Sequence, residues 1–274
     1  AVASPIPNFS LGAVSILDGG AGGAPDTIIV RRGNSVRSNG PIGLVVAMTN
    51  STTPLQVTEP MGFFNNDIIV VADKPPGANC SVMQVSSVNN FGGGAAQINH
   101  VAGAGWPYNA PGLGTWPAHD HGAQVFNLGA LLQRTYSINA GMLQSQDFPA
   151  AAGLILASDI VQLQAQYGVD QDLNESIDCW TNATGGCGLA AAPTPAQART
   201  IKAVRIALVA RSALQERGDA GGTCDATKAY PTAWLASGSI TLDLSADANW
   251  RCYRYRVYET TVPLRNVIWG NVSQ

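Results

Sequence analysis

The clearest pattern in the chain is a period-two alternation over residues 252–260. One face of this segment would carry Cys252, Arg254, Arg256, Tyr258 and Thr260, and the other Tyr253, Tyr255, Val257 and Glu259. Aromatic and β-branched residues at this period predict a β-strand. Pro263 has no amide hydrogen for a ladder, so we expect it to end the strand or to place it at a sheet edge. A short apolar tail, residues 267–269, follows.

Residues 160–169 show the same alternation. The predicted inward face holds Val161, Leu163, Ala165, Tyr167 and Val169, and the outward face holds Gln162, Gln164 and Gln166. This pattern is typical of an antiparallel strand with one face in the core and one in solvent.

Other apolar runs predict further strands at 26–32, 42–49, 67–73, 80–88, 131–139 and 239–244. The Pro-Pro-Gly sequence at 75–77 indicates a hairpin between 67–73 and 80–88. Ala140 and Gly141 form a tight connection to the segment Met142-Leu-Gln-Ser-Gln146.

One segment carries a helix-start signal. Thr194 as N-cap, Pro195 at the first helical position and Gln197 three residues after the cap form a capping-box pattern. We expect the helix to run to about Lys202. Residues 204–213 fit either a continuation of this helix or a strand, and their pattern alone does not decide between the two.

Composition narrows the class of protein. The 274 residues suffice for one large β-rich or α+β domain or for two small ones. Charged residues make up 12%, about half the usual share. The net charge of −3 and the lack of a basic cluster argue against nucleic-acid binding. No run approaches the ~20 apolar residues of a membrane span, and the start at Ala1, with neither Met nor a signal peptide, is typical of a cut boundary.

The five cysteines are Cys80, Cys179, Cys187, Cys224 and Cys252. Disulfides 179–187 and 224–252 are the economical pairing, with chain-entropy contributions of about 2.5 and about 3.6 kcal/mol. With this pairing Cys80 has no disulfide partner among the other four cysteines. In an exported protein an odd cysteine indicates a disulfide partner elsewhere. The alternative is that all five are buried, reduced thiols.

Oxygen-bearing side chains follow strand 160–169 at alternate positions. Asp170, Asp172, Asn174, Ser176 and Asp178 reproduce the first part of a calcium loop, with the Ser176 carbonyl at the seventh position. Glu175 stands where such loops have glycine, and Thr181 stands where they have a bidentate glutamate. Calcium is therefore the candidate ligand, and the alternative is a solvated acidic turn.

Other chemistry has weaker support. His119 and His121 could supply two metal ligands, but no third ligand is evident, and a surface loop is the preferred interpretation. The chain has no G-x-S-x-G elbow, no defensible carboxylate pair and no P-loop lysine. None of these observations identifies a catalytic site. Arg254 and Arg256 are candidates for contacts with acidic groups of a neighbouring protein, as opposed to a solvent-facing strand surface.

Several separated motifs resemble PilW-type minor pilins of bacterial type IV pili. They are Phe126-Asn-Leu-Gly129, Val161-Gln-Leu-Gln-Ala-Gln-Tyr-Gly-Val-Asp170, Val204-Arg-Ile-Ala-Leu-Val-Ala-Arg-Ser212 and Tyr253-Arg-Tyr-Arg-Val-Tyr-Glu-Thr-Thr-Val-Pro-Leu-Arg-Asn-Val-Ile-Trp269. The motifs occur in the family's order, and the resemblance is strong from about 125 to 270 and loose from 26 to 100.

The resemblance implies an α+β, β-rich, pilin-like fold, in which a long N-terminal helix packs against an antiparallel sheet. This chain would be one ectodomain lacking that helix, with a β-rich subdomain at 26–122 and a core at 123–274. The resemblance favours a strand at 204–213. The missing helix region would be the only membrane contact and the place of a partner for Cys80.

By the same resemblance the function is structural. Such proteins prime assembly of the pilus, on which cell adhesion and twitching motility depend. Their partners are other minor pilins, the major pilin and a large adhesin. They pass from the inner membrane, with the ectodomain in the periplasm, to the pilus tip. The alternatives are a minor pseudopilin of type II secretion and a secreted calcium-dependent carbohydrate-binding or hydrolytic module.

Overall fold

The computed structural model describes residues 2–3, 12–20, 23–35, 41–58, 62–74, 80–92, 95–103, 105–109, 116–150 and 152–264. Strands make up 46% and helices 4%, and the fold is β-sandwich-like. The prediction of an α+β, pilin-like fold is therefore wrong. The physical reason is that, in the described part of the chain, the apolar faces of the large sheets are covered by other sheets and loops and not by a helix.

The strands are numbered in chain order. They are β1 (Val2–Ala3), β2 (Val14–Leu17), β3 (Thr27–Arg32), β4 (Ile42–Gly43), β5 (Leu55–Val57), β6 (Ile68–Ala72), β7 (Cys80–Gln84), β8 (Ser87–Gly92), β9 (Ala95–Asn99), β10 (Gln124–Gly129), β11 (Leu132–Asn139), β12 (Met142–Phe148), β13 (Leu154–Ser158), β14 (Ile160–Val169), β15 (Cys179–Thr181), β16 (Ile201–Arg211), β17 (Thr232–Ala233), β18 (Ile240–Thr241) and β19 (Tyr255–Pro263). The α-helix α1 spans Pro195–Ala198, and short 3₁₀ turns span Pro107–Asn109 and Trp250–Cys252.

The first of two compact units comprises residues 1–13 and 31–133. Its sheets have the strand orders β1-β7-β6-β10-β4 and β5-β9-β8. Both contribute to one apolar core, in which Leu55, Ile69, Met83 and Ile98 are fully buried. The predicted hairpin is present as the antiparallel pair β6–β7, and its turn at 75–77 lies outside the described residues.

Two strand predictions in this unit are wrong in extent. The predicted strand 42–49 is reduced to β4, because the chain after Gly43 makes isolated bridges at Leu44 and Met48 instead of a continuous ladder. The predicted strand 80–88 is divided into β7 and β8, which belong to different sheets.

The second unit comprises residues 14–30 and 134–274. Its two larger sheets have the orders β13-β12-β11-β3-β2 and β15-β14-β16-β19. Side chains from both, including Ile16, Ile28, Leu163 and Val204, form one core. A second apolar cluster includes Val209 of β16 together with Trp234 and Leu242. In it the segment that carries β17 and β18 packs against β16. The predicted division at 122/123 stays a prediction about domain organisation.

Strand β14 departs from the predicted one-faced burial. Gln162 and Gln166 are buried, at 1% and 7% exposure. The Gln162 amide donates to the carbonyl oxygens of Gly23 and Asp243, at 2.6 and 3.1 Å. The predicted outward glutamine face is therefore wrong, because hydrogen bonds to other segments let these polar side chains be covered.

The capping box at Thr194 and Gln197 is formed by both of its reciprocal hydrogen bonds. The helix ends at Ala198 and does not reach Lys202 as predicted. Residues from Ile201 onward form β16, which pairs antiparallel with both β14 and β19. The strand alternative for 204–213 is thus confirmed. The backbone N–H and C=O groups that a longer helix would have paired internally are paired here with two neighbouring strands.

Candidate functional site

The predicted calcium ligands lie in the 170–178 loop, which joins β14 to β15. Asp170 is fully buried at the end of β14, whereas Asp172 and Asp178 are exposed. One carboxylate oxygen from each of these three residues lies within 4.8 Å of the others. The fold therefore brings three of the five candidate ligands together.

Hydrogen bonds to backbone amides hold this loop. The Asp170 carboxylate accepts from the amides of Asn174 and Glu175, at 3.1 and 3.0 Å. The Asn174 side-chain oxygen accepts from the Ser176 amide at 2.8 Å. Glu175 has φ +69° at the position where calcium loops have glycine, so the turn forms here with a side chain in the left-handed region.

Sequence reasoning missed Lys202, which is 2% exposed beside this loop. Its Nζ lies 3.5 Å from Asp170 Oδ2 and 3.1 Å from Glu175 Oε1. Burial raises the pKa of Asp170, but the amide hydrogen bonds and the Lys202 charge outweigh it and hold that pKa below its usual value. A fixed positive charge thus neutralises part of the cluster, and calcium binding stays a prediction.

Both predicted disulfides are present. Cys179–Cys187 joins the start of β15 to the following loop, and Cys224–Cys252 joins the 224 loop to the 3₁₀ turn before β19. Cys80 is free and half-buried. Burial raises the pKa of its thiol, which lowers the thiolate fraction available for reaction.

Arg254 directly precedes β19, the terminal strand of its sheet, and Arg256 is the second residue of that strand. Both side chains are exposed. Arg254 Nε lies 2.8 Å from Glu216 Oε1, and the Arg256 guanidinium lies 5.2 Å from the Tyr258 ring centroid. Pro263 ends β19 and the strand is at an edge, as predicted. The apolar tail 267–269 lies outside the described residues.

His119 is buried and not in the predicted surface loop. Its Nε2 lies 2.8 Å from Ser81 Oγ, and its Nδ1 lies 3.0 Å from Asp73 Oδ1. This connectivity is that of a Ser-His-Asp triad. Ser81, His119 and Asp73 are however 0%, 1% and 4% exposed, so a substrate cannot reach the hydroxyl, and the three residues act as a satisfied polar network of the first unit.

The described residues hold one cluster of three potential metal ligands, the one in the 170–178 loop. No described helix has the length and hydrophobicity that crossing a membrane requires. No curated protein and no solved structure matched the chain. A family model described as "Type IV Pilus-assembly protein W" matches residues 122–266, which is more than half of the 274 residues. The chain therefore belongs to the PilW family of type IV pilus-assembly proteins.

Proposed function

We propose that this chain is a minor pilin that primes assembly of the type IV pilus. In this proposal it joins other minor pilins at the fibre tip, together with the major pilin and a large adhesin. The protein passes from the inner membrane to the pilus tip, with its β-rich part outside the cytoplasm. Its role is structural, in keeping with a family that acts in pilus assembly and is not known for catalysis.

The observation that carries this proposal is the open edge of β19. This nine-residue strand lies within the family match and pairs with β16 on one side only among the described residues. An open edge can accept a strand or loop of another protein through its free backbone groups. Arg256 adds an exposed positive charge at one end, and Arg254, just before the strand, is exposed and paired with Glu216. A partner surface with acidic groups, which can bind Arg256 and take the place of Glu216 at Arg254, therefore fits this edge best.

Deletion of the gene in its source bacterium tests the proposal. We expect the deletion strain to lose surface pili and twitching motility, and the wild-type gene to restore both. The double variant R254E/R256E should restore them only in part, because like charges would then face the acidic partner surface. Surface pili are counted by electron microscopy and by shearing, and motility is measured on agar.

The variant R217E/K228E provides a matched control, since it makes the same charge change at exposed positions outside β19. It should restore pili as the wild-type gene does. Normal pili in the deletion strain would refute a priming role. Full restoration by R254E/R256E would refute the assigned contact face and leave the priming role standing.

A further inference from the structure

Strand β13 exposes an apolar stretch at the end of a sheet. It is the terminal strand in the order β13-β12-β11-β3-β2. Leu154, Ile155 and Leu156 are 66%, 54% and 47% exposed. Residues 152–158 contain no charged side chain. Exposed apolar residues are common singly, but three in a row on one edge strand need an explanation.

Two other edge strands of the second unit, β19 and β15, carry protection that β13 lacks. β19 carries charged side chains, which disfavour pairing with a second copy and leave its edge to an acidic partner, and β15 is short and tied by Cys179–Cys187. Such features keep soluble proteins from pairing edge to edge. β13 has only a bulge in its pairing with β12, between Leu143 and Gln144. An apolar edge left without charge or proline is typical of a strand that receives a partner.

The electrostatics of this edge favour an uncharged partner. The neighbouring strand β12 has one charged residue, Asp147, and both of its carboxylate oxygens accept hydrogen bonds from Arg134, at 2.6 and 2.8 Å. Asp159, directly after β13, also has a partner, since its Oδ1 lies 4.0 Å from Arg211 Nε. Because both carboxylates are already paired, a charged side chain laid along β13 would lose water without gaining a counter-ion. The complementary segment is an extended run of about five uncharged residues with apolar side chains.

The exposed area indicates how that segment is held. At the exposed fractions above, the three side chains offer roughly 300 Å² of apolar surface. A stable complex of two free proteins usually buries about 600 Å² or more on each partner. The β13 contact is therefore too small to hold two copies of this chain together. It fits a neighbour that other contacts already keep at high effective concentration.

We propose that β13 is the docking edge for an uncharged, apolar strand of a neighbouring subunit in the assembled pilus. This inference rests on the proposed function, because it takes the neighbour to be another pilus subunit. The neighbour adds a strand to the five-stranded sheet, and its apolar side chains cover Leu154, Ile155 and Leu156. The contact lies on a different sheet from β19, so the two edges can serve two neighbours.

The test uses purified minor pilins of the same pilus system as probes, with binding measured by biolayer interferometry. We expect the wild-type chain to bind at least one probe and I155K to bind it about tenfold more weakly or worse, since the lysine would be buried unpaired. The matched control is L214K, at a leucine that is 82% exposed outside the strands, and it should bind as the wild type does. Circular dichroism and thermal unfolding check that I155K is folded.

Hydrogen exchange on the wild-type complex gives a readout that needs no variant. The amides of residues 154–158 should gain protection when the probe binds. Binding without this protection, or with full affinity in I155K, would overturn the β13 inference and leave the proposed function intact. Failure to bind any minor pilin would overturn both. A self-association of the wild type that I155K abolishes would assign the edge to a second copy and overturn the inference as stated.

Discussion

At the scale of single residues, the buried charges of the second unit are compensated in two ways. Lys202 lies beside the carboxylates of Asp170 and Glu175. Among the residues that the structure describes, no carboxylate lies in hydrogen-bonding range of Arg205. Burial lowers its pKa, although the charge of Glu259 acts to raise it. Arg205 lies between the rings of Trp180 and Trp234, at 4.7 and 4.1 Å from their centroids, and its Nε donates to the Gln166 side-chain oxygen at 2.9 Å. The first arrangement responds to pH and the second does not, because arginine stays charged.

The variant D170N should remove one step from the acid dependence of stability. The folded-state pKa of Asp170 is depressed below its unfolded value. Its contribution is therefore fully present above pH ~4 and is lost as the pH falls through the lower folded pKa. We expect D170N to be less stable than wild type at pH 7 and to differ less from it towards pH 2. Urea unfolding at a series of pH values measures this.

The control is D172N, which neutralises an exposed carboxylate of the same loop. It should change stability at pH 7 by less than D170N does. A constant stability difference between D170N and wild type from pH 7 to pH 2 would show that Asp170 acts by shape and not by charge.

At the scale of elements, two long strands could be predicted from the sequence, and the side-chain contacts around them could not. Period-two patterns at 160–169 and 252–260 identified β14 and most of β19, because alternation is a local property of the sequence. The predicted start at Cys252 is wrong, since a 3₁₀ turn spans Trp250–Cys252 and β19 begins at Tyr255. The burial of Gln162 depends on carbonyls at Gly23 and Asp243, far away along the chain. No local pattern contains such contacts. The same holds for Lys202, whose role depends on the distance to Glu175 after folding.

The sequence predicts that the 170–178 loop binds calcium, and a calcium titration tests this prediction. We expect calcium to bind weakly in the wild type, since the Lys202 ammonium lies 3.5 Å from Asp170 Oδ2. Replacing it in K202M should tighten binding about tenfold or more, because the variant removes a buried positive charge beside a ligand carboxylate, and tenfold corresponds to only about 1.4 kcal/mol of relieved repulsion. Isothermal titration of chelator-stripped protein measures both constants.

The double variant D172N/D178N is the matched control, because it keeps the buried Asp170 and removes the two exposed carboxylates. It should show no calcium binding, with or without Lys202. If neither the wild type nor K202M takes up calcium at millimolar concentration, the loop is an acidic turn neutralised by lysine and the calcium prediction is wrong.

At the scale of the whole molecule, covalent reinforcement is uneven. Both disulfides lie in the second unit, and the first unit contains the free Cys80. The first unit therefore depends on its apolar core and on buried polar networks such as Ser81–His119–Asp73. Disulfides act mainly by restricting the unfolded chain. Their removal should therefore lower the free energy of unfolding most in the second unit, where they close loops.

Cysteine variants with hydrogen exchange as the readout test this asymmetry. C224A/C252A should lower the free energy of opening in β14 by up to about 3.6 kcal/mol and C179A/C187A by up to about 2.5 kcal/mol, since the longer loop loses more closure entropy. Protection of β6, in the first unit, should stay unchanged in both variants, and C80A serves as the control that alters no disulfide. An equal loss of protection in β6 and β14 would mean that the two units unfold as one cooperative body. A loss confined to β14 would show that the second unit, which carries β13 and β19, opens independently of the first.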